Sequence, residues 1–139
     1  MEKVERFGIS ISPELLRDFD KLIAERGYAS RSEAIRDLVR QELVREEWSD
    51  PDAEVVGTVT IVYEHHEHEL ANVLADLQHR YYKRIVSSTH IHLDAHNCLE
   101  VVIVRGPSAE VKRIASILVS TRGVKHGQMV ATTTGKRVT

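Results

Sequence analysis

The sequence predicts an α+β protein of two modules, and three observations support this. Residues 4–11 alternate between apolar and polar side chains, the pattern of a half-buried strand, and two amphipathic helix patterns follow. The rest of the chain has the order strand, helix, strand, strand, helix, strand. All 8 histidines lie at or after His65, so the second module differs from the first in its chemistry.

Composition limits the class of protein. A chain of 139 residues that is 42% hydrophobic and 29% charged fits one ordinary domain or two small ones, and excludes a disordered or fibrous protein. We expect no membrane span, because no apolar run approaches ~20 residues, and no signal peptide. The one cysteine, Cys98, cannot form an internal disulfide, which favours the cytoplasm. A net charge of −2 argues against a polycationic coat for nucleic acid, but not against a local DNA-reading face.

The first module, residues 1–48, is predicted to contain one strand and two helices. Ser12 and Pro13 have the chemistry of a helix start, and Ser30 with Glu33 forms the capping-box pattern that begins the second helix. So short a module cannot bury an adequate core, and its strand has no partner within the module. We therefore expect two chains to dimerise by pairing these strands into a ribbon.

The second module, residues 55–139, follows a linker with turn chemistry at residues 49–54. Its predicted strands span residues 55–63, 85–93, 98–104 and 129–134, and its helices lie near residues 70–81 and 107–119. This β-α-β-β-α-β order predicts a ferredoxin-like fold, in which two helices cover one face of a four-stranded antiparallel sheet. The other face must be buried elsewhere or remain wet.

The strongest chemical signal is His90-x-His92 followed by Cys98. Alternate residues of a strand share a face, so His90 and His92 point the same way. A hairpin turn near His96 returns Cys98 almost opposite His92, at the ~5 Å separation of cross-strand neighbours. His79, on the preceding helix, is the candidate fourth ligand and would reach a site on a neighbouring chain. Three histidines and a cysteine suit Ni(II), Cu(II), Zn(II) or Co(II), and ligand type alone does not choose among them.

Other interpretations of these residues remain open. Taken singly, the two histidines could be solvated strand residues and Cys98 a small buried side chain, although the set together favours a metal. A Cys–His nucleophile pair is a further alternative, but the sequence offers no oxyanion site or substrate pocket beside it. A separate cluster at a helix start is more typical of a solvated face, although its first and last members could hold a weak second metal. The cluster comprises His65, His66 and His68.

A second functional surface is predicted on the polar face of the first strand. In a two-chain ribbon Arg6, Gly8 and Ser10 face outward together, and a ribbon fits the major groove of DNA. Arg31 and the backbone amides at the start of the second helix could bind a phosphate and fix the register. An ordinary exposed strand with one arginine is the alternative, and the expected dimer favours DNA.

Taken together, these motifs resemble two known families. The N-terminal strand and the stretch Arg31-Ser-Glu-Ala-Ile-Arg-Asp37 resemble a ribbon–helix–helix DNA-binding domain. The second module resembles the ACT-type regulatory domain of the nickel-responsive repressor in five motifs. These are Tyr63-Glu64-His65, Gln78-His79, His90-Ile-His92, Cys98-Leu-Glu100 and Arg122-Gly-Val-Lys-His-Gly127. The resemblance covers the whole chain.

The resemblance implies a homotetramer with a central ACT core flanked by two DNA-binding dimers. It implies a square-planar nickel site, one ion per chain, formed by His90, His92 and Cys98 of one chain and His79 of another. It also places Arg6, Gly8 and Ser10 at the DNA-reading positions, where Gly8 departs from the hydroxyl residue common in the family. Glu33 and Asp37 match positions that hold a secondary cation.

The functional hypothesis is a nickel-dependent repressor, not an enzyme, that binds a palindromic operator of nickel-uptake genes when nickel is sufficient. Nickel would shift the population towards the DNA-competent state. One alternative is a regulator that responds to another metal or to a small molecule. Another is a metal storage or delivery protein without DNA binding, and a third is a cysteine-dependent enzyme.

Overall fold

A computed structural model describes residues 3–139, apart from the side chain of His68. Within that range the chain forms four helices and four strands. They are α1 (Pro13–Glu25), α2 (Arg31–Ser49), β1 (Glu54–Glu64), α3 (His68–Arg80), β2 (Ile85–His92), β3 (Asn97–Pro107), α4 (Ser108–Ser120) and β4 (Val124–Thr132). The chain divides into two compact units between Gln41 and Glu42, within α2. None of the described helices has the length and apolar character needed to cross a membrane.

Both helices of the first unit begin as predicted. The Ser12 hydroxyl accepts a hydrogen bond from the Leu15 amide at 3.3 Å, and Pro13 occupies the first turn of α1. The Ser30 hydroxyl accepts from the Glu33 amide at 3.2 Å and caps α2 in the same way. Each cap satisfies an amide that the first helical turn leaves without a partner, so these short polar patterns fix the helix starts.

The predicted N-terminal strand does not form within a single chain. Residues 3–12 are neither helix nor strand, and Phe7 and Ile9 expose 77% and 61% of their surface. The physical reason is that a strand is defined by hydrogen bonds to a neighbouring strand, and the sheet of the second unit pairs only β1 to β4 among the described residues. The pairing of this segment with the same segment of a second chain stays a prediction.

The second unit has the predicted β-α-β-β-α-β order. Its strands are antiparallel and lie in the order β2-β3-β1-β4. Alternate residues of β1 and β3 are buried, because α3 and α4 pack on one face of the sheet. The largest fully buried side chains come from both strands and both helices: Ile61, Leu74, Ile114, Leu118, Val59 and Val102. The ferredoxin-like prediction is confirmed, and the fold is α+β.

The last strand begins earlier than predicted. β4 starts at Val124 rather than at residue 129, and pairs with β1 from Val56↔Thr132 to Tyr63↔Val124. After Val124, residues 125–128 are polar or glycine, so hydrophobic alternation does not reveal the start of the strand. Gly127 lies so close to α4 that an added Cβ would stand 2.9 Å from a methyl group of Val119. The strand packs closely on α4 at this glycine, so no apolar side chain marks the buried position in the sequence.

The last turn of α2 is part of the core of the second unit. Trp48 is 6% exposed, and its indole Nε1 donates to the Thr132 carbonyl at 2.8 Å. The Lys112 ammonium donates to the Trp48 carbonyl at 2.7 Å, which satisfies an acceptor at the helix end. Gly57 lies against the indole: a Cβ there would stand 3.3 Å from Cη2 of Trp48.

The sheet face turned away from α3 and α4 carries apolar side chains. Ile91 and Val130 are 46% and 56% exposed, and the same face includes the partly exposed Val62, Leu99 and Val101. An apolar sheet face of this kind is normally covered by another surface.

Candidate metal centre

The β2–β3 hairpin brings three candidate ligand residues together, His90, His92 and Cys98. In its register His92 lies opposite Cys98, and His90 lies opposite Glu100. All four residues therefore point to the helix-covered face at one end of the sheet. Nδ1 of His92 lies 3.4 Å from Sγ of Cys98, and the ring centroids of His90 and His92 are 5.1 Å apart.

His65 joins this group from the turn that follows β1. Its Nδ1 lies 3.3 Å from Sγ of Cys98, and its ring centroid lies 4.7 Å from that of His92. One donor atom from each of His65, His90, His92 and Cys98 lies within 4.8 Å of all the others. The three histidines are exposed, whereas Cys98 is buried.

The donor set fits a single borderline-soft metal ion. Imidazole nitrogens bind such ions at ~2.0–2.1 Å and a thiolate at ~2.3 Å, so two ligands of one ion stand roughly 3–3.6 Å apart when their bond angle is 90–110°. The two Sγ–Nδ1 separations of 3.3 and 3.4 Å fall in that range. Ions that prefer oxygen, such as Mg²⁺ and Ca²⁺, do not suit three imidazoles and a thiolate.

A hydrogen-bonded chain behind the ligands fixes His90. The Tyr63 hydroxyl donates to Oε2 of Glu100 at 3.0 Å and lies 3.0 Å from Nδ1 of His90. Because that hydroxyl proton is used on Glu100, Nδ1 of His90 is assigned as the donor to the Tyr63 oxygen, which leaves Nε2 for a metal. The side chain of Gln78, on α3, donates to Oε1 of Glu100 at 2.7 Å and extends the chain to that helix.

Burial sets the protonation of two groups in this centre. Burial, with Glu100 beside it, raises the pKa of Tyr63, so the hydroxyl remains protonated and can donate. Burial, with Asp94 and Glu100 nearby, raises the pKa of the Cys98 thiol. Without metal, Cys98 is therefore a thiol at neutral pH, and binding of a metal must release its proton.

His79, the predicted fourth ligand, lies in the last turn of α3 and is exposed. Within the described residues it is not a member of the ligand group. Successive residues of a helix point about 100° apart, so His79 points away when Gln78 faces Glu100. The role of His79 as a ligand for a site on a neighbouring chain stays a prediction.

His65 is the ligand candidate that sequence reasoning assigned to a different cluster. The signal that reveals it is the alternation along β1, which places Ile61, Tyr63 and His65 on one face of the sheet. Cys98 pairs with Tyr63 across the strands and lies on the same face. The backbone pairing of β1 with the hairpin extends to His65, because its amide donates to the His96 carbonyl at 2.6 Å. The pattern was missed because the three closely spaced histidines resembled a helix start.

Among the other histidines whose side chains are described, none is a member of the ligand group. His66 lies in the same turn as His65, and its Nε2 lies 3.1 Å from the Ala95 carbonyl oxygen. The side chain of His68, the other half of the suggested second metal pair, lies outside the described part of the chain. His96 stacks edge-on against His66 in the hairpin turn, and His126 is exposed on β4.

The predicted DNA-facing residues are exposed in the first unit. Arg6, Gly8 and Ser10 all lie in the exposed N-terminal segment, and a Cβ added at Gly8 would meet nothing within 4 Å. Arg31, at the start of α2, is held by Asp20 of α1: its Nε and Nη2 each donate to a carboxylate oxygen at 2.7 Å. This paired contact orients the guanidinium beside the α2 N-terminus.

Of the two suggested cation ligands, Asp37 has protein partners for its carboxylate. The Asp37 carboxylate accepts from the Tyr28 hydroxyl at 2.8 Å and pairs with Arg40 at 3.3 Å. Glu33 is exposed in the first turn of α2, where its amide is capped by Ser30.

A module predicted to read DNA, joined to a centre of three histidines and a cysteine, defines a class: metal-dependent DNA-binding regulators. Family models agree in both parts. Residues 5–46 match "ribbon-helix-helix protein, copG family", and residues 56–132 match "NikR C terminal nickel binding domain".

Full-length relatives identify the family. A protein from Thermococcus onnurineus is 54% identical over 98% of this chain and 99% of its own length. Proteins from Pyrococcus furiosus (55% identical, 97% of this chain and 98% of the relative) and Geobacter sulfurreducens (53%, 99% of each) match similarly. All three carry the name "putative nickel-responsive regulator". The chain belongs to the family of nickel-responsive transcriptional regulators, which are not enzymes.

Proposed function

We propose that this chain is a cytoplasmic, nickel-dependent repressor of nickel-uptake genes. Residues 1–48 read a palindromic operator, residues 49–54 link the domains, and residues 55–139 bind nickel and form the tetramer. The observation that carries the proposal is the hairpin register that places His90, His92 and Cys98 on one face, in a chain whose N-terminal region matches a ribbon–helix–helix family.

Each chain contributes one nickel site. His90, His92 and Cys98 of one chain and His79 of a partner subunit would hold the ion in a plane. Held by these four residues, a nickel ion would link two chains, and a planar ligand set suits Ni(II). Two hydrogen bonds support this assignment. The bond that Nδ1 of His90 donates to Tyr63 orients His90, and the bond that Gln78 donates to Glu100 orients the end of α3.

The tetramer would be a dimer of dimers. The apolar sheet face that carries Ile91 and Val130 would pair with the same face of another chain and form the central core. The exposed Phe7 and Ile9 would be buried when two N-terminal segments pair as a ribbon. Both surfaces are apolar and exposed in the single chain, which is the expected property of surfaces that self-associate.

DNA reading is assigned to the exposed face of that ribbon. Arg6 and Ser10 would contact base edges in the major groove, and Gly8 between them would leave its base without a side-chain contact. Arg31, oriented by Asp20, would bind a backbone phosphate at the α2 N-terminus and fix the register. Glu33 and Asp37 would hold a secondary cation near this surface.

The binding of nickel and the binding of DNA are coupled because both favour the same one of two states of the protein, the DNA-competent state. His79 would be fixed when nickel is bound, and with it α3, which favours the arrangement that spans both half-sites. A shift from 1:99 to 99:1 requires about 5.5 kcal/mol of preferential binding. By linkage, operator DNA should then tighten nickel binding by the same factor.

The proposal is tested by operator binding of the purified full chain with nickel and with a chelator. The sequence upstream of nickel-transport genes serves as the DNA, at fixed salt concentration. We expect tight binding only with nickel, and loss of the nickel effect in His92→Ala. Tyr82→Phe, at a 66% exposed position, is the control and should behave as the unmodified protein. Equal binding with nickel and with chelator would exclude a nickel-dependent repressor.

A further inference from the structure

The metal centre of this chain has one more histidine than a four-ligand site with His79 would use. Three ligands come from the β2–β3 hairpin, and His79 of a partner subunit completes the proposed nickel set. The structure nevertheless places His65 of the same chain in contact with Cys98, at 3.3 Å between Nδ1 and Sγ. Any ion at this site therefore has two possible fourth ligands.

We propose that His65 is an alternative fourth ligand that gives the single chain a complete tetrahedral site for zinc or cobalt. The inference rests on the proposed function, because it assumes that nickel takes His79 instead. The ligand set is His65, His90, His92 and Cys98, whose donor atoms all lie within 4.8 Å of one another. It requires no second chain and no movement of α3.

The closeness of these four donor atoms favours the ligand set with His65 for ions that have no preferred coordination geometry. Zn(II) has none from its d electrons and occurs almost always in tetrahedral sites of Cys and His when the site is closed by protein ligands. It should accept the donors already present around Cys98. Ni(II) prefers a plane, which is the arrangement proposed with His79.

The choice between His65 and His79 as the fourth ligand decides whether the ion links two chains. His65 lies in the turn between β1 and α3, and its amide is tied to the His96 carbonyl of the hairpin. When His65 holds the ion, all four ligands belong to one chain, and His79 is left unbound. The ion then occupies Cys98 without linking two chains. His65 would in this way let the protein distinguish nickel from metals that bind the same thiolate.

The test compares metal binding by full-length His65→Ala, His79→Ala and the control Tyr82→Phe, at a 66% exposed position. Cobalt(II) and nickel(II) are followed by absorption, since tetrahedral cobalt and planar nickel have different spectra, and zinc by competition with a chelator. We expect His65→Ala to weaken zinc and cobalt at least about tenfold and to abolish the tetrahedral cobalt spectrum, as loss of one ligand should. Nickel affinity and the planar spectrum should remain.

Two results would overturn the inference: unchanged zinc and cobalt binding in His65→Ala, or an equal loss for nickel. Circular dichroism of each variant checks that the fold persists. His79→Ala tests the proposed function separately and should weaken nickel while sparing zinc. If His79→Ala leaves nickel unchanged, the partner-subunit nickel site is wrong, and the assignment of His65 to zinc and cobalt is judged on its own variant.

Discussion

At the residue scale, the metal centre depends on groups that touch no metal. The Tyr63 hydroxyl lies between Nδ1 of His90 and the nearly buried Glu100 carboxylate, at 3.0 Å from each. The Gln78 amide provides the other hydrogen bond to Glu100. Sequence reasoning found Tyr63, Gln78 and Glu100 only through the family resemblance, because a strand pattern does not show which polar side chains meet in a core.

Replacement of Tyr63 tests this arrangement. In Tyr63→Phe, His90 loses the partner that orients its ring, and Glu100 loses one of its two hydrogen bonds. We expect nickel affinity to fall roughly 10–100-fold, and the free energy of unfolding to fall by about 1–3 kcal/mol because a buried acceptor is left unsatisfied. Competition with a chelator and denaturant unfolding measure the two effects. The exposed Tyr82→Phe should change neither, and an equal change in both variants would contradict the assignment.

A carboxylate shapes the hairpin turn next to the ligands. Asp94 accepts hydrogen bonds from the side chain of Asn97 and from the amides of His96 and Asn97, and these lower its pKa to about 2. Because the folded pKa is below the ordinary value of 3.8, this contribution to stability is present above pH 3.8 and is lost as the pH falls through about 2.

An NMR titration of Asp94 in the metal-free protein checks this value. We expect a carboxyl pKa of about 2 in the unmodified chain, and a rise towards 3.8 in Asn97→Ala, which removes the largest cause of the shift. An Asp94 pKa near 3.8 in the unmodified protein would show that the turn hydrogen bonds do not form in solution.

At the element scale, the sequence predicts most of the helices and strands, for identifiable reasons. Ser12 and Ser30 cap helices where the short polar patterns require, and β1 and β3 bury alternate residues as their β-branched runs indicate. The start of β4 was missed because close packing at Gly127 leaves no apolar side chain to detect. The sequence did not connect His65 with Cys98, because their proximity is evident only from the register of β1 with β3.

Gly57 on β1 tests the packing of α2 against the sheet. A Cβ at this position would stand 3.1 Å from Sδ of Met129 and 3.3 Å from both Trp48 and Val111. Gly57→Ala should therefore lower the free energy of unfolding by about 1–3 kcal/mol through overpacking. Fluorescence of Trp48, the one tryptophan of the chain, reports the transition. Gly8→Ala, where a Cβ meets nothing within 4 Å, should change stability little. Equal stability of both variants would mean that Trp48 does not pack as described.

At the scale of the whole molecule, the proposed assembly would cover two of the apolar surfaces that the described part of the single chain leaves exposed. One is the N-terminal segment with Phe7, and the other is the sheet face with Ile91 and Val130. Neither the alternation of residues 4–11 nor the βαββαβ order specifies how many chains assemble. The proposed tetramer is therefore supported by the family resemblance and by these exposed apolar faces.

A lysine on the sheet face tests the tetramer. Val130 is 56% exposed, so Val130→Lys should leave the single chain folded, but it would place a charge inside the proposed core. We expect analytical ultracentrifugation to show dimers in place of tetramers, with operator binding weakened. Tyr82→Lys, at a 66% exposed position, is the control. A tetramer that persists in Val130→Lys would place the interface elsewhere.

The most direct test of the account is a nickel titration of the purified protein followed by absorption, repeated with Cys98→Ala. We predict a thiolate-to-nickel charge-transfer band that saturates at one metal per chain, has the spectrum of planar nickel, and is absent from the variant. A featureless titration, or a band that survives in Cys98→Ala, would contradict a nickel centre built on the β2–β3 hairpin.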